Sequence, residues 1–71
     1  MMFDKDKDWA VSKANNGREE YQFFYTLEGA LAWVSLQYPL RHRNFVEDYL
    51  RSFKQFTDAD GVKYRLLKIQ K

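Results

Sequence analysis

The sequence predicts an α+β fold, a two-layer sandwich in which two helices cover one face of a three-stranded, mainly antiparallel sheet. The class is indicated by an Asn-Gly turn between two strand-like runs, two stretches with helical spacing of apolar residues, and a final alternating run. The predicted order is therefore β-β-α-α-β. A chain of 71 residues has material for one domain. We expect it over residues 9–71, after a disordered tail over residues 1–8 where Asp and Lys alternate.

The first two strands are expected to form a hairpin over residues 9–25. Asn-Gly at residues 16–17 tolerates the positive φ that a tight two-residue turn requires. Alternation along the second strand predicts an aromatic face directed at the core, with Trp9 and Val11 across the hairpin. That aromatic face carries Tyr21, Phe23 and Tyr25. Phe24 then falls on the opposite, open face of the sheet.

Two helices are expected to follow the hairpin. Thr26 stands where a helix N-cap belongs, and the spacing i, i+3, i+4, i+7 predicts a first helix that ends before Pro39. Its core positions are Leu27, Ala30, Leu31 and Val34. Asn44 is the predicted start of a second, strongly amphipathic helix, after a basic connector over residues 40–43. The apolar stripe of this second helix comprises Phe45, Val46, Tyr49, Leu50, Phe53 and Phe56.

The last predicted element is a third strand over residues 62–69, preceded by a turn over residues 57–61. Because two short helices with a short connector run antiparallel, this strand is expected to run antiparallel to the second. The strand order would then be 1-2-3. The alternative places the third strand beside the first and parallel to it.

The composition argues against an enzyme. The chain has no cysteine and a single histidine, His42, which stands between two arginines without an orienting partner in the sequence. The carboxylates of residues 58–60 lack the spacing of a calcium loop, and no glycine-rich phosphate loop occurs. We therefore expect no catalytic residue, no cofactor and no metal. The N-terminus has no signal-like apolar segment and no apolar run suffices for a membrane span, so we expect a cytoplasmic protein without a membrane partner.

The aromatic content points to an interaction surface. Six Phe, five Tyr and two Trp are more than two helices and one sheet face readily cover. We therefore expect a small interaction or regulatory domain that binds a protein partner, or a second copy of itself, through the open sheet face or through the helix-connector region. The side chains that periodicity commits least to the core are Phe24, Trp33 and Leu67.

Nucleic-acid binding is the alternative function. Arg41, Arg43, Lys63 and Arg65 are the candidate phosphate contacts, although the net charge of +2 is a mild bias. Residues 9–33, a hairpin followed by Phe24-Tyr25-Thr26 and then by Ala30 and Trp33, resemble the arm-type DNA-binding domains of phage and transposon integrases. The resemblance implies that a three-stranded sheet reads DNA, but a second helix before the third strand departs from that pattern. An origin in a phage or another mobile element fits a short chain of this kind.

Overall fold

The computed structural model describes residues 7–70, which form two helices and a four-stranded antiparallel open sheet. The elements are β1 Trp9–Asn15, β2 Arg18–Phe24, α1 Leu27–Ser35, α2 Leu40–Phe53, β3 Gln55–Thr57 and β4 Lys63–Lys68. The predicted α+β class is confirmed, with four strands rather than three. Residues 1–6 of the predicted tail lie outside the described residues. Asp8, at its end, donates its backbone N–H to the Phe24 carbonyl and accepts from the Ile69 N–H, at 3.1 and 2.8 Å.

The hairpin of β1 and β2 is confirmed. Asn16 and Gly17 adopt φ values of 53° and 80°, so both residues of the two-residue turn are left-handed. This geometry matches the twist of the flanking strands, which is why Asn and Gly are favoured there. The register runs from Trp9 opposite Phe24 to Asn15 opposite Arg18.

The sheet order is β2-β1-β4-β3, so the predicted order 1-2-3 is wrong, and the alternative is right in placing the last strand beside the first but wrong in its direction. The last strand, β4, pairs with β1 rather than with β2, and it runs antiparallel to β1 rather than parallel. The missed strand β3 explains both errors. It is β3 that returns antiparallel to β2 after the helices, and the turn that follows reverses the chain once more. β4 therefore runs in the direction of β2 and completes the sheet on the free side of β1.

Helix α2 differs from the prediction at both ends. It begins at Leu40, so the predicted basic connector forms its first turn, and Pro39 takes the N-cap position in place of Asn44. It ends at Phe53 because Lys54 turns left-handed, with φ 63°, and donates its N–H to the Leu50 carbonyl. Phe56 therefore lies in β3 and not in the helical stripe.

The core lies between the helices and one face of the sheet. Its buried residues are Val11, Ala30, Leu31, Val34, Val46, Leu50, Phe56, Tyr64 and Leu66. Ser35 is also buried, and its hydroxyl lies within hydrogen-bond distance of the Ala32 carbonyl and the Glu47 carboxylate, linking α1 to α2. Neither helix within residues 7–70 combines the length and the hydrophobicity needed to cross a bilayer.

The two faces of β2 are the reverse of the prediction. Val11 is in the core and lies opposite Gln22, so the helix-covered face of β2 carries Gln22 and Phe24. The open face carries Glu19, Tyr21 and Phe23. Helix α1 folds back over Phe24 immediately after Thr26, and a Cβ at Gly29 would lie 3.3 Å from the Thr26 Oγ1, which is tighter than ordinary contact.

Candidate protein-interaction surface

Three aromatic side chains form an exposed stripe along α2. Phe45, Tyr49 and Phe53 follow one another at i, i+4 and i+8, a spacing that places them on one side of a helix. Their rings lie in series, with centroids 5.8 Å apart for the first pair and 4.7 Å for the second. They are 60%, 39% and 62% exposed respectively. We call these three residues the aromatic stripe.

The aromatic stripe packs against Phe56 of β3. Phe56 is buried, and its ring lies edge-on to Phe45 and Tyr49 at 6.3 and 5.7 Å between centroids. Tyr38 completes the cluster at 5.6 Å from Phe56. Edge-to-face contacts of this kind add to burial and hold rings in defined orientations. The stripe is therefore the outer layer of a packed aromatic cluster.

The strand beside the aromatic stripe has a free edge. β3 is the last strand of the sheet, and Phe56 lies opposite Tyr64 of β4. The Lys54 carbonyl and the Asp58 N–H also bond toward β4, at 2.8 and 2.9 Å. Because the bonding direction alternates along an antiparallel strand, the main-chain groups of residues 55 and 57 point away from β4. Such an edge can accept a further strand.

A groove runs between α2 and the segment that includes β3. Its volume is about 480 Å³, and its walls are formed by Tyr38, His42, Phe45, Val46, Tyr49, Phe56 and residues 57–60. Phe45 and Tyr49 of the aromatic stripe line the α2 wall, and Phe56 and Thr57 of β3 line the other wall, whereas Phe53 lies beyond the lining residues. Asp58 and Asp60 lie at the end of the groove where the chain turns into β4.

Asp58 organises that end of the groove. Its Oδ1 accepts the backbone N–H groups of Asp60 and Val62 at 2.9 and 3.0 Å, and its Oδ2 accepts the Tyr38 hydroxyl at 2.8 Å. Partial burial acts to raise the pKa of Asp58, but these hydrogen bonds to the charged form lower the pKa on balance. Burial raises the pKa of Tyr38, and the hydrogen bond to Asp58 raises it further. The carboxylate therefore keeps a fixed negative charge at neutral pH.

Phe24, predicted for the open sheet face, lies on the helix-covered face instead, and the predicted contact Trp33 of α1 packs beside it. Their rings lie 6.0 Å apart, and both pack against the core on the helix side of the sheet. Trp33 also meets Tyr64 edge-on at 6.2 Å. Leu67 does lie on the open face, opposite Ala10, and is 37% exposed. The structure therefore separates Leu67 from the two aromatic candidates.

The four basic candidates form two separate groups. Arg41 and Arg43 lie in the first turn of α2, where the Arg43 Nε donates to the Tyr38 carbonyl at 3.1 Å. Lys63 and Arg65 lie on the open face of the sheet, opposite Ala14 and Ser12. Because the helices cover the other face, these pairs do not form one continuous basic surface.

The sequence interpretation missed the aromatic stripe because it grouped all apolar positions of α2 into a single stripe. Two adjacent lines of apolar residues run along this helix, and only the line of Val46 and Leu50 is buried. The aromatic stripe could have been recognised from the width of the apolar face of α2. A helix at the edge of a small sheet can bury one line of apolar residues, so a second line is left exposed.

Comparisons with known proteins show no relationship for this chain: no family model, no curated protein and no solved structure matches it. Within residues 7–70, no three His, Cys, Asp or Glu side chains are grouped so as to hold a metal ion.

Proposed function

We propose that this chain is a non-catalytic protein-interaction domain that binds an extended segment of a partner protein in the groove between α2 and β3. The observation that carries the proposal is the aromatic stripe beside a free strand edge. An extended peptide added to an edge strand gains main-chain hydrogen bonds, and its alternate side chains occupy neighbouring pockets. Aromatic residues are enriched in protein interfaces because each contributes a large apolar area at small entropic cost.

The chemistry of the groove defines the segment that would fit. Apolar side chains at every second position would face the aromatic stripe, because strand side chains alternate. A Lys or Arg at one end would lie near Asp58 and Asp60, whose charges are at the turn. The partner segment is therefore expected to be extended, alternately apolar, and basic at one end.

Selection from a random peptide library displayed on phage tests the proposal. We expect enriched peptides with this pattern, and their affinity, measured by fluorescence anisotropy, should fall at least tenfold for Phe45→Ser and Tyr49→Ser, since both side chains line the groove. The matched control is Leu40→Ser, because Leu40 is 77% exposed on the same helix and lies nine residues from Tyr49, on the opposite side.

A second readout locates the peptide. Bound peptide should slow hydrogen exchange of the outward-facing amides of Gln55 and Thr57, since those groups would gain partners. The proposal is overturned if the library yields no binder, or if Phe45→Ser and Tyr49→Ser bind the selected peptides as well as the control does.

Nucleic-acid binding is the second candidate, and the placement of Lys63 and Arg65 on the open sheet face beside Tyr21 favours it. Basic side chains contact phosphates and a neighbouring aromatic ring stacks on a base. Titration with mixed-sequence DNA and RNA, followed by tryptophan fluorescence, should then show binding that weakens steeply with salt and is lost in Lys63→Glu with Arg65→Glu.

A further inference from the structure

The open face of the sheet has a pattern that repeats across three strands. The pairing register places three rows of side chains on this face, each crossing β2, β1 and β4 in turn. The rows are Glu19–Ala14–Lys63, Tyr21–Ser12–Arg65 and Phe23–Ala10–Leu67. The central strand thus contributes only small side chains, and the large ones stand on the strands to either side.

The two flanking strands have complementary chemistry. Along β2 the open face carries an acid, then an aromatic residue, then another aromatic residue, and along β4 it carries two cations and then Leu67. The charged end is organised by Ser12, whose hydroxyl donates to the Glu19 carboxylate at 2.5 Å and draws that side chain toward β1. At the other end, Tyr21, Phe23, Leu67 and Ile69 help to line a shallow, mostly apolar depression of about 620 Å³.

We propose that this face binds a second copy of the same chain, through a two-fold axis that runs parallel to the strands and above β1. This rotation keeps each row at its own level and exchanges left for right, so β2 of one copy faces β4 of the other. Glu19 then faces Lys63, Tyr21 faces Arg65, and Phe23 faces Leu67, and each pair occurs twice. The pairs combine opposite charges, a cation with an aromatic ring, and two apolar groups.

The other in-plane two-fold axis, perpendicular to the strands, does not give this match. It would keep β2 over β2 but reverse the order of the rows, which places Glu19 against Phe23 and Lys63 against Leu67, so charges would be buried against apolar groups. Charge complementarity therefore selects both the occupant and its orientation. The small side chains of β1 allow the sheets to approach to the usual separation of about 10 Å.

The area of the open sheet face determines how tightly two copies are expected to associate. Three strands about 4.8 Å apart and seven residues of about 3.4 Å each define a face of about 14 by 24 Å, roughly 340 Å² per copy, which is less than half of the about 800 Å² per partner of a standard specific interface. We therefore expect a weak dimer whose population rises with protein concentration and falls with added salt.

Sedimentation velocity from about 10 μM to about 1 mM, a range suited to weak association, tests the proposal, with charge-reversed variants as the central comparison. Glu19→Lys places a second cation against Lys63 of the facing copy, and Lys63→Glu places a second carboxylate against Glu19. Each variant alone should dimerise at least tenfold more weakly than the natural sequence. An equimolar mixture of the two should restore dimerisation, because every opposed pair then joins opposite charges.

Circular dichroism of each variant serves as the folding control, since both changes are on an exposed face. Wild-type chain that stays monomeric at about 1 mM overturns the proposal, and so does a mixture that associates no better than its components. A monomer that instead binds mixed-sequence DNA, and loses that binding in Lys63→Glu with Arg65→Glu, would assign the face to nucleic acid and would also overturn the proposal. The test does not involve the groove beside α2, so its outcome is independent of the peptide-binding proposal.

Discussion

The two helices of this domain are adjacent in the chain but differ in capping and in how many of their residues are buried. Helix α1 has nine residues, buries four of them, and is capped by the Thr26 hydroxyl, which accepts the Gly29 N–H at 3.0 Å. Helix α2 has fourteen residues, buries two of them, lacks a side-chain cap, and begins with a basic turn. The shorter helix is committed to the core, whereas the longer one leaves an aromatic stripe outside it. Burial per residue thus separates the stabilising helix from the one available for binding.

The sharpest test of this contrast compares one large side chain from each helix. Leu31 is almost fully buried and Phe53 is 62% exposed. Leu31→Ala should lower the free energy of unfolding by about 2–5 kcal/mol, because it removes core contacts and leaves a cavity. Phe53→Ala should lower it by less than about 1 kcal/mol. Urea unfolding followed by circular dichroism measures both, and equal losses would contradict the division between the helices.

The link between Tyr38 and the turn before β4 should show a dependence on pH. Asp58→Ala removes three hydrogen bonds and should cost about 1–3 kcal/mol at pH 7. Because folding lowers the pKa of Asp58, its contribution is present above the ordinary carboxyl pKa and is lost as the pH falls through the lower folded value.

Urea midpoints at pH 7 and at about pH 2, well below the ordinary carboxyl pKa, measure this difference. The difference in urea midpoint between the natural sequence and Asp58→Ala should be smaller in acid than at pH 7. Asp60→Ala is the matched control, because the Asp60 side chain is exposed in the same turn, and its effect should stay within about 0.5 kcal/mol. If the difference in urea midpoint were the same at both pH values, the stability of the turn would depend on the shape of the Asp58 side chain rather than on its charge.

The N-cap of α1 should contribute less to the free energy of unfolding than the Asp58 hydrogen bonds do. Thr26→Ala leaves the Gly29 N–H without its side-chain acceptor and should cost about 1 kcal/mol. Thr26→Ser keeps the hydroxyl and should retain most of that stability. Thermal unfolding of both variants provides the measurement, and a Ser variant as unstable as the Ala variant would show that the methyl group matters more than the cap.

The smallest expected effect concerns the basic first turn of α2. Cations at a helix N-terminus oppose the helix dipole, so Arg41→Glu should stabilise the fold by about 0.3–1 kcal/mol at low salt. Arg51 lies in the last turn, where a cation is favourable, and Arg51→Glu should have the opposite sign. The same sign for both variants would show that overall charge, and not the dipole, governs the effect.

The sequence interpretation succeeded where local chemistry decides the structure. The Asn-Gly turn, the Thr26 cap and the spacing of Leu27, Ala30 and Leu31 each depend on neighbouring residues alone, and each is present as predicted. It failed at α2 because the apolar spacing runs on through Phe56, and neither Gly nor Pro marks the end of the helix. Lys54 adopts the left-handed conformation instead, a position more often taken by Gly or Asn.

The faces of the sheet illustrate the same limit. Both sides of β2 carry aromatic residues, so alternation alone could not show which side the helices cover. That choice depends on where α1 crosses the strand, and the same crossing decides that Phe24 and Trp33 pack together while Tyr21 stays exposed. Local turns, caps and periodicities were determined by the sequence itself. The strand order, the face of each strand and the exposure of the aromatic stripe were decided only by tertiary packing, because each depends on contacts between segments distant in the chain.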